Sequence, residues 1–103
     1  MNHSAVRVGI LGSTGRMGKA LLAALEDHPQ CRLGFAGTRE NLSSLFKASD
    51  VVIDFTTPEA LPTHIDFSLK HQKPLVVGTT GLELPHKSML SSASSQIPLV
   101  VSS

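Results

Sequence analysis

Cysteine is almost missing from this chain of 103 residues, charge of either sign is nearly balanced, and no apolar stretch is long enough to span a bilayer. Each absence excludes something. The lone Cys31 has no partner for an internal disulfide, which removes the cross-linked secreted scaffolds and fits a reducing compartment. Its expected place is in a strand, as a small buried hydrophobe. Nine Lys and Arg against eight Asp and Glu leave a formal charge of +1 without a run of like charge, so nothing here tracks a polynucleotide. A spanning helix needs about 18 consecutive apolar residues, and only a few residues precede the first strand. A soluble, untargeted chain is expected. The five histidines, His3, His28, His64, His71 and His86, show no close metal-ligand spacing, so no metal site is expected and solvated rings are. The serines crowd between positions 88 and 95 and at the chain end, which suggests no Ser-His-Asp arrangement.

What remains suits one small globular domain: 41% hydrophobic residues in a chain of this length bury about 60–70% of the unfolded surface. Its most informative segment is Val6-Arg7-Val8-Gly9-Ile10-Leu11-Gly12-Ser13-Thr14-Gly15-Arg16-Met17-Gly18, a buried strand feeding a glycine-spaced turn that opens a helix. In such a turn Gly12 makes the sharp bend, Gly15 lets the backbone approach a pyrophosphate, and Gly18 lets the helix pack on the strand. The free N–H groups and positive end of the helix then face an anion, which makes a dinucleotide the natural ligand. An ordinary packed strand-to-helix turn is the alternative on these residues alone.

Apolar periodicity predicts a first helix over 16–25, with residues 17, 20, 21, 24 and 25 on one face, and a second strand over 31–36. Residues 42–47 read as a short helical or irregular piece. Residues 50–55 form a continuous β-branched run, predicted to be a strand buried on both faces. Thr57 is placed to cap, Pro58 to open and Glu59 to favour the start of a helix over 58–71. A fourth strand over 74–77, a loop over 78–81, a helix over 84–93 and a fifth strand over 97–101 complete the pattern. This alternation predicts an α/β fold: a Rossmann-like doubly wound parallel sheet of about five strands, with right-handed crossovers and the order 3-2-1-4-5. Ligand then belongs at the carboxyl ends of the strands, where the loops at 12–18, 37–40, 56–58 and 78–81 converge.

Three motifs on those loops, the Arg7 to Gly18 segment, Asp54-Phe55-Thr56-Thr57-Pro58-Glu59 and Val77-Gly78-Thr79-Thr80-Gly81, resemble dihydrodipicolinate reductase (4-hydroxy-tetrahydrodipicolinate reductase). The resemblance spans nearly all of the chain. It implies a cytoplasmic oxidoreductase of lysine and diaminopimelate biosynthesis, which passes a hydride from NADPH or NADH to a cyclic dicarboxylate and assembles as a homotetramer. By that resemblance Gly12, Ser13, Thr14, Gly15, Arg16 and Met17 wrap the pyrophosphate and its riboses. Gly78, Thr79 and Thr80 line the nicotinamide, Thr80 also touches substrate, and Ser102 and Ser103 add backbone to the cofactor site. The family's His-His-x-x-Lys-type segment and its Asp-x-Pro-Ser-Gly-Thr-like loop have no counterpart. Residues 1–103 are therefore expected to form a dinucleotide-binding domain that is itself incomplete, with the substrate domain and every catalytic residue elsewhere and no turnover by this chain alone.

Cofactor preference turns on the end of the second strand. Thr38 stands where NAD-binding domains often carry a carboxylate for the ribose, and Arg39 can pair with the 2′-phosphate of NADP, so NADPH is preferred. Glu40 is close enough to favour NADH if the loop turns differently. Asp54 is read as ordering its loop, and Phe55 as packing. The alternatives are another Rossmann amino-acid dehydrogenase domain, or a non-catalytic nucleotide-binding module.

Overall fold

The structure, a computed structural model, describes residues 6–12, 16–27, 30–37, 41–79 and 81–101, with the backbone alone at residues 17 and 35–37. Strands and helices alternate as β1 (Val6–Leu11), α1 (Arg16–Glu26), β2 (Cys31–Gly37), α2 (Leu42–Ala48), β3 (Val51–Asp54), a short 3-10 turn (Pro58–Ala60), α3 (Leu61–His71), β4 (Leu75–Val77), α4 (Leu84–Ala93) and β5 (Leu99–Val101). All pairings in the five-stranded sheet are parallel. The expected α/β architecture is present.

Strand order is β2-β1-β3-β4-β5, so β3 lies beside β1 rather than outside β2, the one departure from the expected 3-2-1-4-5. A right-handed crossover from β2 can step outward or return over β1, and the strand pattern is the same either way. Packing decides it. α2 returns over β2 and β1, with Leu42, Leu45 and Phe46 fully buried, and delivers β3 to the free side of β1. Every later connection steps in that direction too. Right-handedness then sets α2, α3 and α4 on one face, packed α2 to α3 to α4, and α1 on the other.

The core follows from this asymmetry. Leu11, Val52, Leu75 and Val77 from the sheet meet Leu45, Phe46, Leu61, Ile65, Leu90 and Ala93 on the three-helix face. The run in β3 is therefore not buried equally on both faces: Val52 and Asp54 are buried, whereas Val51 and Ile53, facing the side that holds α1 alone, are half-buried. On α1 the covered stripe is Gly18, Leu21, Leu22 and Leu25, and Ala20 and Ala24, expected inside, are exposed. Cys31, on edge strand β2, is half-buried rather than interior.

Local chemistry explains the helix ends. Thr57 is extended and makes no side-chain cap, and Pro58 opens a 3-10 turn that becomes α3 only at Leu61. α3 ends where Gln72 turns into the left-handed region at φ 54°, its N–H reaching the carbonyls of Leu69 and Ser68. α4 starts at Leu84 as predicted, with a reciprocal cap: the N–H of Glu83 donates to His86 Nδ1 at 3.1 Å, and the Glu83 side chain accepts from the first turn. His71 stacks on Phe46 and Phe67 with ring centroids 6.1 and 6.0 Å away. Burial there, then Lys70, Lys47 and Lys73, holds its imidazole below the usual range. Both rings are half-buried.

Phe46 is fully buried where α2 meets α3, whereas Leu84 is 79% exposed. Phe46→Ala is expected to cost about 3–5 kcal/mol and Leu84→Ala less than about 0.5 kcal/mol. Urea unfolding monitored by circular dichroism checks the pair.

Candidate functional site

Parallel register places the last residues of all five strands in one row. Leu11 lies opposite both Gly37 and Asp54, Asp54 opposite Val77, and Val77 opposite Val101. The loops that follow leave the sheet along a single edge, so the expected convergence of loops holds at the level of their starting points. Two hydrogen bonds carry the ladder a step further: Phe55 N–H donates to the Leu11 carbonyl at 2.9 Å, and Gly78 N–H to the Asp54 carbonyl at 2.8 Å.

Phe55 sits between the two glycines expected to hold cofactor. Gly12 turns at φ +87°, a conformation side chains rarely adopt, and a Cβ there would lie 2.9 Å from the Phe55 carbonyl oxygen. At Gly78 the vacant side-chain volume is taken by the Phe55 ring, which a Cβ would overlap at 2.6 Å from Cδ1. The Phe55 packing read from sequence is thus specific: its backbone seats Gly12 and its ring seats Gly78. Arg16 opens α1, is exposed, and is followed by a first turn without a carboxylate, so the positive helix end is not neutralised from within.

Beneath this edge lies a polar cluster inside the core. Asp54 is 0% exposed, on the face of β3 that meets α3. Its Oδ1 accepts from Thr56 N–H at 2.8 Å and from Thr56 Oγ1 at 2.5 Å, and its Oδ2 is 2.6 Å from Nδ1 of His64, a ring 2% exposed on α3. Burial pushes the Asp54 carboxyl up, but the His64 and Thr56 hydrogen bonds outweigh it and hold the group below the usual carboxylate range. An ionised carboxylate only accepts, so Nδ1 of His64 carries the proton and donates. The Asp54 backbone carbonyl, besides receiving Gly78 N–H, accepts from buried Thr79 Oγ1 at 3.3 Å.

Of the residues expected in the site, Gly12, Arg16, Gly78 and Thr79 are described, at the carboxyl ends of β1 and β4 and the start of α1. Ser13, Thr14, Gly15, Arg39, Thr80, Ser102 and Ser103, and the Met17 side chain, lie outside the described residues. His64, buried against Asp54, is the member of this cluster that reading the sequence missed. Its signal is present nonetheless: Leu61, His64, Ile65 and Ser68 make one buried stripe at helical spacing, and a carboxylate ending an apolar strand needs a donor.

Fold and site together are those of the Rossmann-like dinucleotide-binding class of domain. Residues 6–103 match the family model described as dihydrodipicolinate reductase, N-terminus, and the chain belongs to that family. It is 41% identical over 101 residues to 4-hydroxy-tetrahydrodipicolinate reductase of Rickettsia akari (strain Hartford), covering 94% of this chain and 41% of that protein. The chain thus spans about two fifths of the length of the curated relatives it matches. Among solved structures, a dipicolinate-bound dihydrodipicolinate reductase from Paenisporosarcina sp. TG-14 superposes with a TM-score of 0.79 at 22% identity, covering 95% of this chain and 47% of that one. Apo scyllo-inositol dehydrogenase from Lactobacillus casei reaches the same 0.79 at 15% identity, over 98% of this chain and 37% of that one. Those two likenesses speak for the fold.

Away from this edge, Arg7 and Asp50 staple the entry to β3: Arg7 N–H and its guanidinium reach the Asp50 carboxylate at 2.8 and 2.9 Å. The guanidinium holds the Asp50 carboxyl at about 2. Asp50 and Asp54 both titrate lower folded than unfolded, so their stabilisation is complete above about pH 4 and is lost as pH falls toward 2 and below. Acid titration by circular dichroism is expected to show loss of structure in that window, and Asp50→Asn to remove part of its pH dependence. Gly78→Ala, which forces a methyl into the Phe55 ring, is expected to cost about 1–3 kcal/mol, and less when combined with Phe55→Leu.

Proposed function

We propose that this chain is the NAD(P)H-binding portion of a 4-hydroxy-tetrahydrodipicolinate reductase, which reduces a cyclic dicarboxylate in lysine and diaminopimelate biosynthesis. The observation that carries this reading is the match of residues 6–103 to the family, on a sheet whose strand ends bring Leu11, Asp54 and Val77 into one row, so that Gly12, Phe55 and Gly78 leave it side by side. The residues present fit a dinucleotide: a left-handed glycine ends β1, and the helix that follows has an unneutralised positive end for a pyrophosphate. The dipicolinate carried by the Paenisporosarcina enzyme is a cyclic dicarboxylate, the substrate class proposed here.

In this reading residues 12–17 hold the pyrophosphate and its riboses, and Gly78 and Thr79 border the nicotinamide with Thr80, which also reaches substrate. Ser102 and Ser103 add backbone contacts. Arg39 meets the 2′-phosphate and selects NADPH over NADH. When bound, the reduced nicotinamide supplies the hydride. This chain fixes the backbone such a ring would meet: Phe55 fills the space behind Gly78, and the Asp54 carbonyl accepts from the Gly78 N–H and from the Thr79 hydroxyl. Residues 1–103 act as the dinucleotide domain. Apart from Thr80, the groups that bind and protonate substrate belong to the part of the relatives this chain does not match, and the working enzyme is a cytoplasmic homotetramer.

Calorimetric titration with NADPH and, separately, NADH tests the reading. Saturable binding with NADPH favoured is expected, and Arg39→Ser is expected to weaken NADPH by about 10- to 100-fold while leaving NADH nearly unchanged. A folded chain that binds neither would overturn it.

A further inference from the structure

Asp54 is a junction rather than a single contact. Its carboxylate ties the loop after β3 through Thr56, its carbonyl ties the loop after β4 through Gly78 and Thr79, and its outer oxygen is held by His64 from α3. No other group among those described bonds to that outer oxygen. With both partners 2% exposed or less, water cannot replace the missing donor if His64 is removed. A buried pair of this kind also rarely adds stability over apolar side chains of similar size, so its effect is sought in placement. Resting on the reading of function above, we propose that His64 is a positioning residue for the dinucleotide site: through Asp54 it sets the loops after β3 and β4 relative to each other, without itself touching the ligand.

The test compares wild type, His64→Leu and His64→Asn. Leucine fills the space without a donor, and the asparagine amide offers an N–H near the position of Nδ1. Three quantities are read: thermal stability, NADPH affinity by calorimetry, and the backbone amide resonances of Thr56, Gly78 and Thr79. His64→Leu is expected to shift all three amides and weaken NADPH about tenfold or more in protein that is still folded, and His64→Asn to restore most of both. If His64→Leu melts earlier yet binds NADPH within about twofold of wild type, the residue is merely structural and the proposal fails. Should His64→Leu not fold, the wild-type His64 ring nitrogens decide. Saturating NADPH shifts them if ring and site are coupled, because coupling between sites is reciprocal, and unchanged resonances overturn the proposal. Wild type that binds neither NADPH nor NADH overturns the functional reading instead, and is distinguished by failing before any variant is made.

Discussion

A carboxylate at the end of a central strand, shut away from water, has to be given donors, and much of the carboxyl edge of this sheet is arranged to supply them. Asp54 occupies the position where an apolar side chain would extend the core of Val52, Leu75 and Val77. An unpaired charge there would cost several kcal/mol. The chain answers with one donor from α3 and two from the residue two places on, and the two residues that supply them order different elements. α3 is drawn to β3 at its ligand end, and the turn before α3 is pinned by Thr56. The strand ends and the loops leaving them therefore behave as one polar assembly laid over an apolar core.

Phe55 completes that assembly by steric means. One residue beyond Asp54, it presents its carbonyl to the left-handed Gly12 and its ring to Gly78, so the loops leaving the two strands that flank β3 are both fitted against a single residue. This revises what the glycines are for. Read as sequence, Gly12 makes a sharp bend and Gly78 lines the nicotinamide. In the structure the missing Cβ atoms first make room for Phe55, and any ligand meets the backbone that remains.

How much of this is legible in the sequence depends on whether a feature is local. The Gly12 turn, the start of α1 and the whole of α4 follow from residues within a turn of one another, and they are read correctly. The position of β3 is not, because the direction in which a crossover returns leaves no mark on the strands it joins. The unequal burial of Val51 and Val52 has the same origin: a β-branched run says that a strand is interior, not that its two faces are covered to the same degree. Thr57 has the right chemistry for a cap but the wrong continuation, since the 3-10 turn after it makes no use of its hydroxyl. His64 is lost because nothing near it in the sequence sets it apart from a solvated histidine. Its requirement lies ten residues away, in an aspartate whose own need for a donor is visible as soon as the strand is recognised.

The two ends of the sheet are held by opposite means. At the entry edge Arg7 and Asp50 form an ion pair whose side chains are 37% and 44% exposed, a placement where such pairs contribute little and where charge is cheap to keep because water still solvates it. At the carboxyl edge the acidic group is fully buried, costly to desolvate, and bonded on every side. If stability alone governed the chain, the expensive pair would be the first to give way to an apolar one. That it stands where five strand ends meet, rather than at the edge where geometry matters less, ties its cost to the placing of backbone, and the backbone so placed is the part of the fold proposed to receive a dinucleotide.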